Sequence, residues 1–180
     1  FFVMGSAATM WEKNLKEEMN LVDRRDGTRR TAQVLANAGA AAVCGVLAYI
    51  FPAYTSTFQL MMAGALASAT SDTLSSELGM VYGSGTYNIL TLKRDKKGMD
   101  GVVSVEGTLI GAWGAGIIAN IFLIGYGNGY AVITIIVAAT VGNLTDSVLG
   151  ATLERRQVIG NNMVNFLSTG AAALIMFVLN

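Results

Sequence analysis

Charge is confined to three short zones of this chain, and the stretches between them carry none. Residues 31 to 71, 107 to 145 and 157 to 180 contain no Asp, Glu, Lys or Arg, although the chain has twelve basic and twelve acidic side chains. One crossing of a bilayer takes about 20 apolar residues. The first two stretches are therefore right for two crossings joined by a tight turn, and the third for one. The turns would fall near 52–57 and 125–129, both uncharged. The basic residues, at 13–30, 93–97 and 155–156, then share one side, which the positive-inside rule makes the cytoplasm.

Composition agrees with a membrane protein. The chain is 53% hydrophobic with a mean hydropathy of +0.51, and only 13% of its residues are charged, against about a quarter in a soluble domain. Its net charge is zero and the basic clusters stand where topology alone would put them, so no nucleic-acid partner is expected. The absence of histidine removes His–metal sites, Ser–His catalysis and any imidazole base. Cys44, the one cysteine, lies in an apolar run, which leaves neither a disulfide framework nor a thiol metal site. Residues 1–180 read as a single integral membrane domain. The start at Phe1–Phe2–Val3–Met4, without an initiator Met, reads as the cytoplasmic end of a span whose earlier part is missing.

The expected fold is all-α, a polytopic bundle of five to six transmembrane helices. A partial helix ends near Trp11, and a charged amphipathic cytoplasmic segment follows to Arg30. Helices are expected over 31–50, 57–78, 107–124, 130–153 and 162–179, with a glycine-rich basic loop over 79–105. The spans are rich in Gly, Ala and Ser, which lets helices pack closely in lipid.

Polar residues at the cytoplasmic ends form stripes, because helical neighbours recur at i, i+3, i+4 and i+7. Arg30, Gln33 and Asn37 share a face; so do Ser68, Asp72 and Ser75, then Asn143, Asp146 and Gly150, then Asn162, Asn165 and Thr169. Asp72 and Asp146 lie within about two turns of the helix ends, roughly 9–12 Å. Their surroundings are alike, Ser71-Asp72-Thr73-Leu74 and Thr145-Asp146-Ser147-Val148, a trace of internal duplication.

A single Ser, Thr, Asn or Gln in a span is more often a packing hydrogen-bond partner than a ligand. Intramembrane carboxylates are costly and are ordinarily kept for function. With no intramembrane Lys or Arg to pair with Asp72 and Asp146, a divalent cation is their natural partner. Oxygen donors without His or Cys favour a hard ion, Mg²⁺ ahead of Ca²⁺ or Zn²⁺. Glu77 lies five residues beyond Asp72, about 140° round a regular helix, and joins the same metal site only if the helix distorts or a second metal is held.

In the loop, Gly83, Gly85, Gly98 and Gly101 allow close backbone approach, while Lys93, Arg94, Lys96 and Lys97 supply positive charge. Phosphate cradling needs that combination, and a plain positive-inside loop would also have it. No Walker motif, kinase glycine loop or dinucleotide fingerprint occurs.

The run 27–37, with Gly27, Arg29, Gln33, Val34 and Asn37, resembles the G-x-R-x-x-x-Q-V-x-x-N signature of an integral membrane family. That family was long catalogued as domain-of-unknown-function family ninety-two, and it contains the plant and cyanobacterial phytyl-phosphate kinases of tocopherol synthesis. The likeness continues through 69–79 around Asp72 and Glu77, through 98–104 with Gly107 and Thr108, through 146–151, and through 162–165. Leu74 stands where the family commonly has Trp, and Val102 replaces a second glycine. The resemblance implies phosphorylation of a prenyl monophosphate, such as phytyl or geranylgeranyl phosphate, by a nucleoside triphosphate with CTP first, in isoprenoid lipid metabolism. Asp72, Asp146 and Glu77 would hold Mg²⁺, with Asn37 and Asn165 orienting phosphate. Arg30, Gln33, Lys93, Lys97, Gly98, Gly101 and Ser104 would contact the nucleotide.

The chemistry of such a transfer is compatible with a chain lacking histidine. A monophosphate is largely ionised near neutral pH and needs no strong base; transfer depends on positioning and charge neutralisation. A cytidylyltransferase making a CDP-lipid would use the same metal and nucleotide. A transporter is the rival from another class, but its site is expected near the midplane with polar groups toward both faces, and here the far side is uncharged. The expected location is a bacterial or archaeal cytoplasmic membrane, or a plastid envelope, with the site facing the cytoplasm.

Overall fold

A computed structural model describes residues 1–11 and 31–180. The expected amphipathic segment ending at Arg30 lies outside the described residues. The described residues form six α-helices: α1 Phe2–Met10, α2 Thr31–Ile50, α3 Thr55–Tyr82, α4 Val105–Tyr126, α5 Tyr130–Leu149 and α6 Asn161–Leu179. Helix α5 continues into a π-helical segment, Gly150–Glu154. The 79–105 region is less irregular than the sequence suggests, since α3 persists to Tyr82. Beyond it a two-stranded antiparallel ribbon pairs β1, Tyr87–Asn88, with β2, Val102–Val103.

Local chemistry explains the helix ends. Pro52 opens a 3-10 turn, Pro52–Tyr54, that separates α2 from α3. Ser104 caps α4, its hydroxyl accepting from the Gly107 N–H at 3.0 Å. Gly127 ends α4 in the left-handed region at φ 70°, where a residue without Cβ is unstrained.

Among the described residues, four helical segments are long and apolar enough to cross a membrane: Thr31–Ile50, Val105–Tyr126, Tyr130–Glu154 and Asn161–Leu179. Their outward faces carry exposed Val43, Val46, Trp113, Ile121, Ile124, Leu174 and Phe177, as expected of surface that meets lipid. Exposed Tyr49, Phe51, Tyr54, Tyr126 and Tyr130 gather at the α2–α3 and α4–α5 turns, the positions where amphipathic rings favour the membrane–water boundary.

Helix α3 is different. Its 28 residues, about 42 Å at 1.5 Å per residue, are ample for a crossing, yet it falls short in apolar character. The reason is its position. Every other described helix packs against α3, so its surroundings are protein rather than lipid. Ala65, Ala67, Ala69 and Ser71 have no exposure at all. Small side chains permit this crowding. A Cβ on Gly111 of α4 would lie 2.8 Å from the Ser71 carbonyl oxygen, one on Gly107 2.9 Å from the Ser75 carbonyl oxygen, and one on Gly142 of α5 2.3 Å from the Ser68 hydroxyl. Glycines spaced along α4 and α5 thus admit α3 into backbone contact.

Candidate functional site

The close crossing of α3 and α5 decides which polar stripes meet. Asn143 of α5 donates through Nδ2 to the Ser71 hydroxyl of α3 at 3.3 Å, both buried. Asp72 follows Ser71 directly, and Asp146 follows Asn143 by one helical turn. The two carboxyl groups are thereby brought within hydrogen-bonding reach of each other. Ser168 of α6 closes the arrangement, its hydroxyl donating to Asp146 Oδ2 at 3.0 Å. Three helices therefore converge on one acid pair.

Asn165 lies one turn from Ser168 and is 6% exposed. Its Nδ2 donates to Asn161 Oδ1 at 3.4 Å, while its own Oδ1 has no hydrogen-bond partner among the described residues. A buried amide oxygen left unsatisfied is uncommon, and here it shares the α6 face that touches Asp146. Asn37 is buried near the start of α2, donating to the Gln33 carbonyl oxygen at 2.9 Å. Gly39 packs against Phe166, which sets Asn37 near the level of Asn165. Gln33 is exposed at the helix start. Arg30 lies outside the described residues.

Glu77 does not join the acid pair. Helix α3 runs without distortion through this region, and Glu77 Oε1 accepts from the Thr9 hydroxyl of α1 at 3.0 Å. Among the described residues no three carboxylate or thiol side chains are grouped to hold a metal ion. The oxygen donors nevertheless suit a hard cation, because Mg²⁺ is commonly held by one or two carboxylates plus water and substrate phosphate.

The glycine-rich segment is docked at the site's edge. Gly98 and Gly101 both take left-handed backbone, φ 82° and 70°. Gly101 sits so close to the π segment that an added Cβ would lie 2.4 Å from the Ala151 Cβ. Arg155 holds the turn from the other side: its Nε donates to the Asp100 carbonyl oxygen at 2.6 Å and a terminal nitrogen pairs with Asp95 Oδ2 at 2.9 Å. The Lys96 N–H and then the Arg155 guanidinium, with Asn88 adding a further hydrogen bond, hold the Asp95 carboxyl below its ordinary pKa. Lys93 is exposed, and Lys97 is half-buried near Glu106. Ser104, expected to contact nucleotide, is buried as the α4 cap.

Three residues were not singled out from sequence. Ser168 reaches Asp146 from another helix, 22 positions along the chain, and only packing reveals it. Asp100 lies against Gly150, one turn beyond Asp146. Glu154, at the end of the π segment, stands within hydrogen-bonding reach of Asn161. The available signal for Asp100 was its place between Gly98 and Gly101, which marks a turn presenting its side chain.

Among the described residues, four membrane-length apolar helices with a carboxylate pair between them define a polytopic integral membrane protein. The chain belongs to the DUF92 family: the model described as Integral membrane protein DUF92 matches residues 1–173. It is 30% identical to Protein VTE6, chloroplastic, of Arabidopsis thaliana, over 97% of this chain and 55% of that protein. It is 35% identical to an uncharacterized membrane protein of Synechocystis, over 97% of this chain and 69% of the relative. Protein PGR of Arabidopsis thaliana is 28% identical over 93% of this chain and 75% of its own length. The chain thus spans about half the length of the first of these relatives. No solved structure matches it.

Proposed function

We propose that this chain is a prenyl-phosphate kinase, transferring the terminal phosphoryl group of a nucleoside triphosphate, CTP first, to a membrane prenyl monophosphate such as phytyl or geranylgeranyl phosphate. The observation that carries the reading is the meeting of Asp72 and Asp146 where α3 crosses α5. Membership of the DUF92 family and the likeness to Protein VTE6 support it, beside the motif resemblance that implies a phytyl-phosphate kinase.

In this reading α3 also crosses the bilayer, giving five spans, and the acid pair faces the cytoplasm, where the nucleotide arrives. An oxygen of the prenyl phosphate attacks the γ-phosphorus, the bond to the β,γ-bridging oxygen breaks, and the nucleoside diphosphate leaves with that oxygen. Asp72 and Asp146 would hold Mg²⁺, which would supply charge neutralisation on the transferring phosphate. The buried Oδ1 of Asn165 would accept from a water, and the amide N–H of the buried Asn37 would orient phosphate oxygens. Arg30, Lys93 and Lys97 would offset the remaining negative charge. The isoprenoid tail would lie among the small residues and lipid-facing apolar side chains.

Mass spectrometry of products tests the reading directly. Purified protein is incubated with prenyl monophosphates, CTP or ATP, and Mg²⁺. Prenyl diphosphate and a nucleoside diphosphate are expected. A CDP-lipid with pyrophosphate would instead identify a cytidylyltransferase working at the same site.

A further inference from the structure

The ribbon between α3 and α4 ends in a tip, residues 88–93, that is closed by its own backbone and leaves two leucines exposed. The Asn88 N–H donates to the Lys93 carbonyl oxygen at 3.0 Å, and the Leu92 N–H returns to the Asn88 carbonyl oxygen at 2.9 Å. The Asn88 side-chain oxygen accepts from the Leu90 N–H at 3.0 Å and from the Thr91 N–H at 3.2 Å. Within this turn Leu92 takes left-handed backbone, φ 53°. A bulky side chain is strained there, and glycine or asparagine would suit the backbone better. Burial in the protein does not offset the strain, because Leu92 is 73% exposed and Leu90 50%. Met99 adds a third exposed apolar side chain, on the turn whose Gly101 carbonyl oxygen accepts from the Ile89 N–H. Arg94 and Lys96, both exposed, flank the tip and have no part in the phosphoryl-transfer scheme.

The tip also has a defined height. The ribbon leads directly into Ser104, the cap of α4, and its Gly101 packs on Ala151 at the end of the α5 segment. Arg155 ties it there through Asp95 and the Asp100 carbonyl oxygen. Both helices are long and apolar enough to cross a bilayer, so a ribbon seated on their ends lies at the membrane boundary. Exposed leucines beside cations at that level match the acyl–headgroup boundary of an anionic leaflet. We infer that the 88–93 tip is a membrane-surface wedge. Leu90 and Leu92 enter the headgroup layer, and Arg94 and Lys96 pair with anionic lipid headgroups. The strain at Leu92 is then offset by apolar burial in lipid, which neither glycine nor asparagine would gain. This role is independent of the reaction proposed above.

The test uses the full chain in nanodiscs, with Cys44 replaced and bimane attached in turn at Leu90→Cys, Leu92→Cys and Asp100→Cys. Asp100 belongs to the same loop but lies beside Gly150 at the end of α5. Phospholipids doxyl-labelled near the headgroup should quench the two tip labels at least about threefold more than the label at Asp100, given insertion of roughly 5–10 Å. A mixture of phosphatidylcholine and phosphatidylglycerol should give stronger quenching than phosphatidylcholine alone. In that mixture Arg94→Gln should lower the ratio of inserted to withdrawn tip by about fivefold, the effect of one cation beside an anionic leaflet. Leu92→Asn accepts left-handed backbone, so resistance to trypsin should be kept while quenching of the Leu90 label falls. Equal quenching at all three positions, or quenching indifferent to phosphatidylglycerol and to Arg94→Gln, would overturn the inference. Shielding of the tip that appears only as protein concentration rises would assign the patch to a second copy and overturn it as well.

Discussion

Asn143 on α5 donates to the Ser71 hydroxyl on α3 at 3.3 Å, one turn ahead of Asp146 and one residue ahead of Asp72. This bond fixes the register in which the two carboxylates face each other. Interhelical bonds of this kind contribute only about 0.6 kcal/mol on average within membranes. Misplacing a catalytic group by about 1 Å can cost on the order of 100-fold in rate. Asn143→Ala should therefore lower stability by about 0.6 kcal/mol while reducing turnover far more. Unfolding in mixed micelles and single-turnover kinetics would measure the two effects separately.

The α3–α4 contact gives a prediction about packing alone. At Gly111 a Cβ would lie 2.8 Å from both the Ser71 carbonyl oxygen and its hydroxyl. Gly111→Ala should therefore cost about 1–3 kcal/mol, as overpacking does, and spread the helices that present Asp72. At Gly116, on the same helix, the nearest neighbour would be Ile136 at 3.8 Å. Gly116→Ala should stay within about 0.5 kcal/mol. Equal effects at the two positions would contradict the packing described.

Asp95 makes the loop latch sensitive to acid in a defined direction. Its folded pKa lies below the ordinary 3.8 because the Lys96 N–H and then Arg155 favour the carboxylate. A depressed pKa contributes stability that is present above the unfolded value and is lost as pH falls through the folded one. Loop protection should thus be constant from about pH 8 to pH 5 and fail only below 3.8. The ion pair is partly exposed, so molar salt should also weaken it. Proteolysis by an acid-active protease and by trypsin in a salt series would follow the two dependences.

Much of this architecture was legible because lipid imposes a coarse code. The uncharged runs located α2, α4, α5 and α6 within a few residues, and the isolated acids picked out the pair that packing brings together. Asp72 and Asp146 stood out because a carboxylate in a span has few bland explanations. Their contact was foreshadowed by similar local sequence, but Ser168 and Asn143 became visible as partners only through packing. The offset of about 140° already set Glu77 apart from Asp72, whereas its hydrogen bond from Thr9 on the first helix, 68 positions away, had no signal in the sequence. The ribbon of Tyr87–Asn88 with Val102–Val103 was hidden because two-residue strands have no periodicity to detect. Arg155 counted only as a topology-setting charge until the structure joined it to Asp95 and Asp100.

Sidedness can be measured by labelling single cysteines after replacement of Cys44, which is buried at 4% exposure. Ser56→Cys and Asn128→Cys, at the two uncharged turns, should react with an impermeant maleimide from outside. Lys96→Cys should react only from the cytoplasm. Outside labelling of Lys96→Cys would break the one-sided topology and favour a transport pathway.

Phosphate labelling addresses the central claim most directly. Full-length protein is given geranylgeranyl phosphate, phytyl phosphate and Mg²⁺ with CTP carrying ³²P at either the γ or the α position. The account predicts that γ-label enters the lipid, that α-label stays in the nucleoside diphosphate, and that Asp72→Asn and Asp146→Asn each abolish the transfer while remaining folded. Entry of α-label into the lipid, or undiminished γ-transfer by either Asn variant, would contradict it.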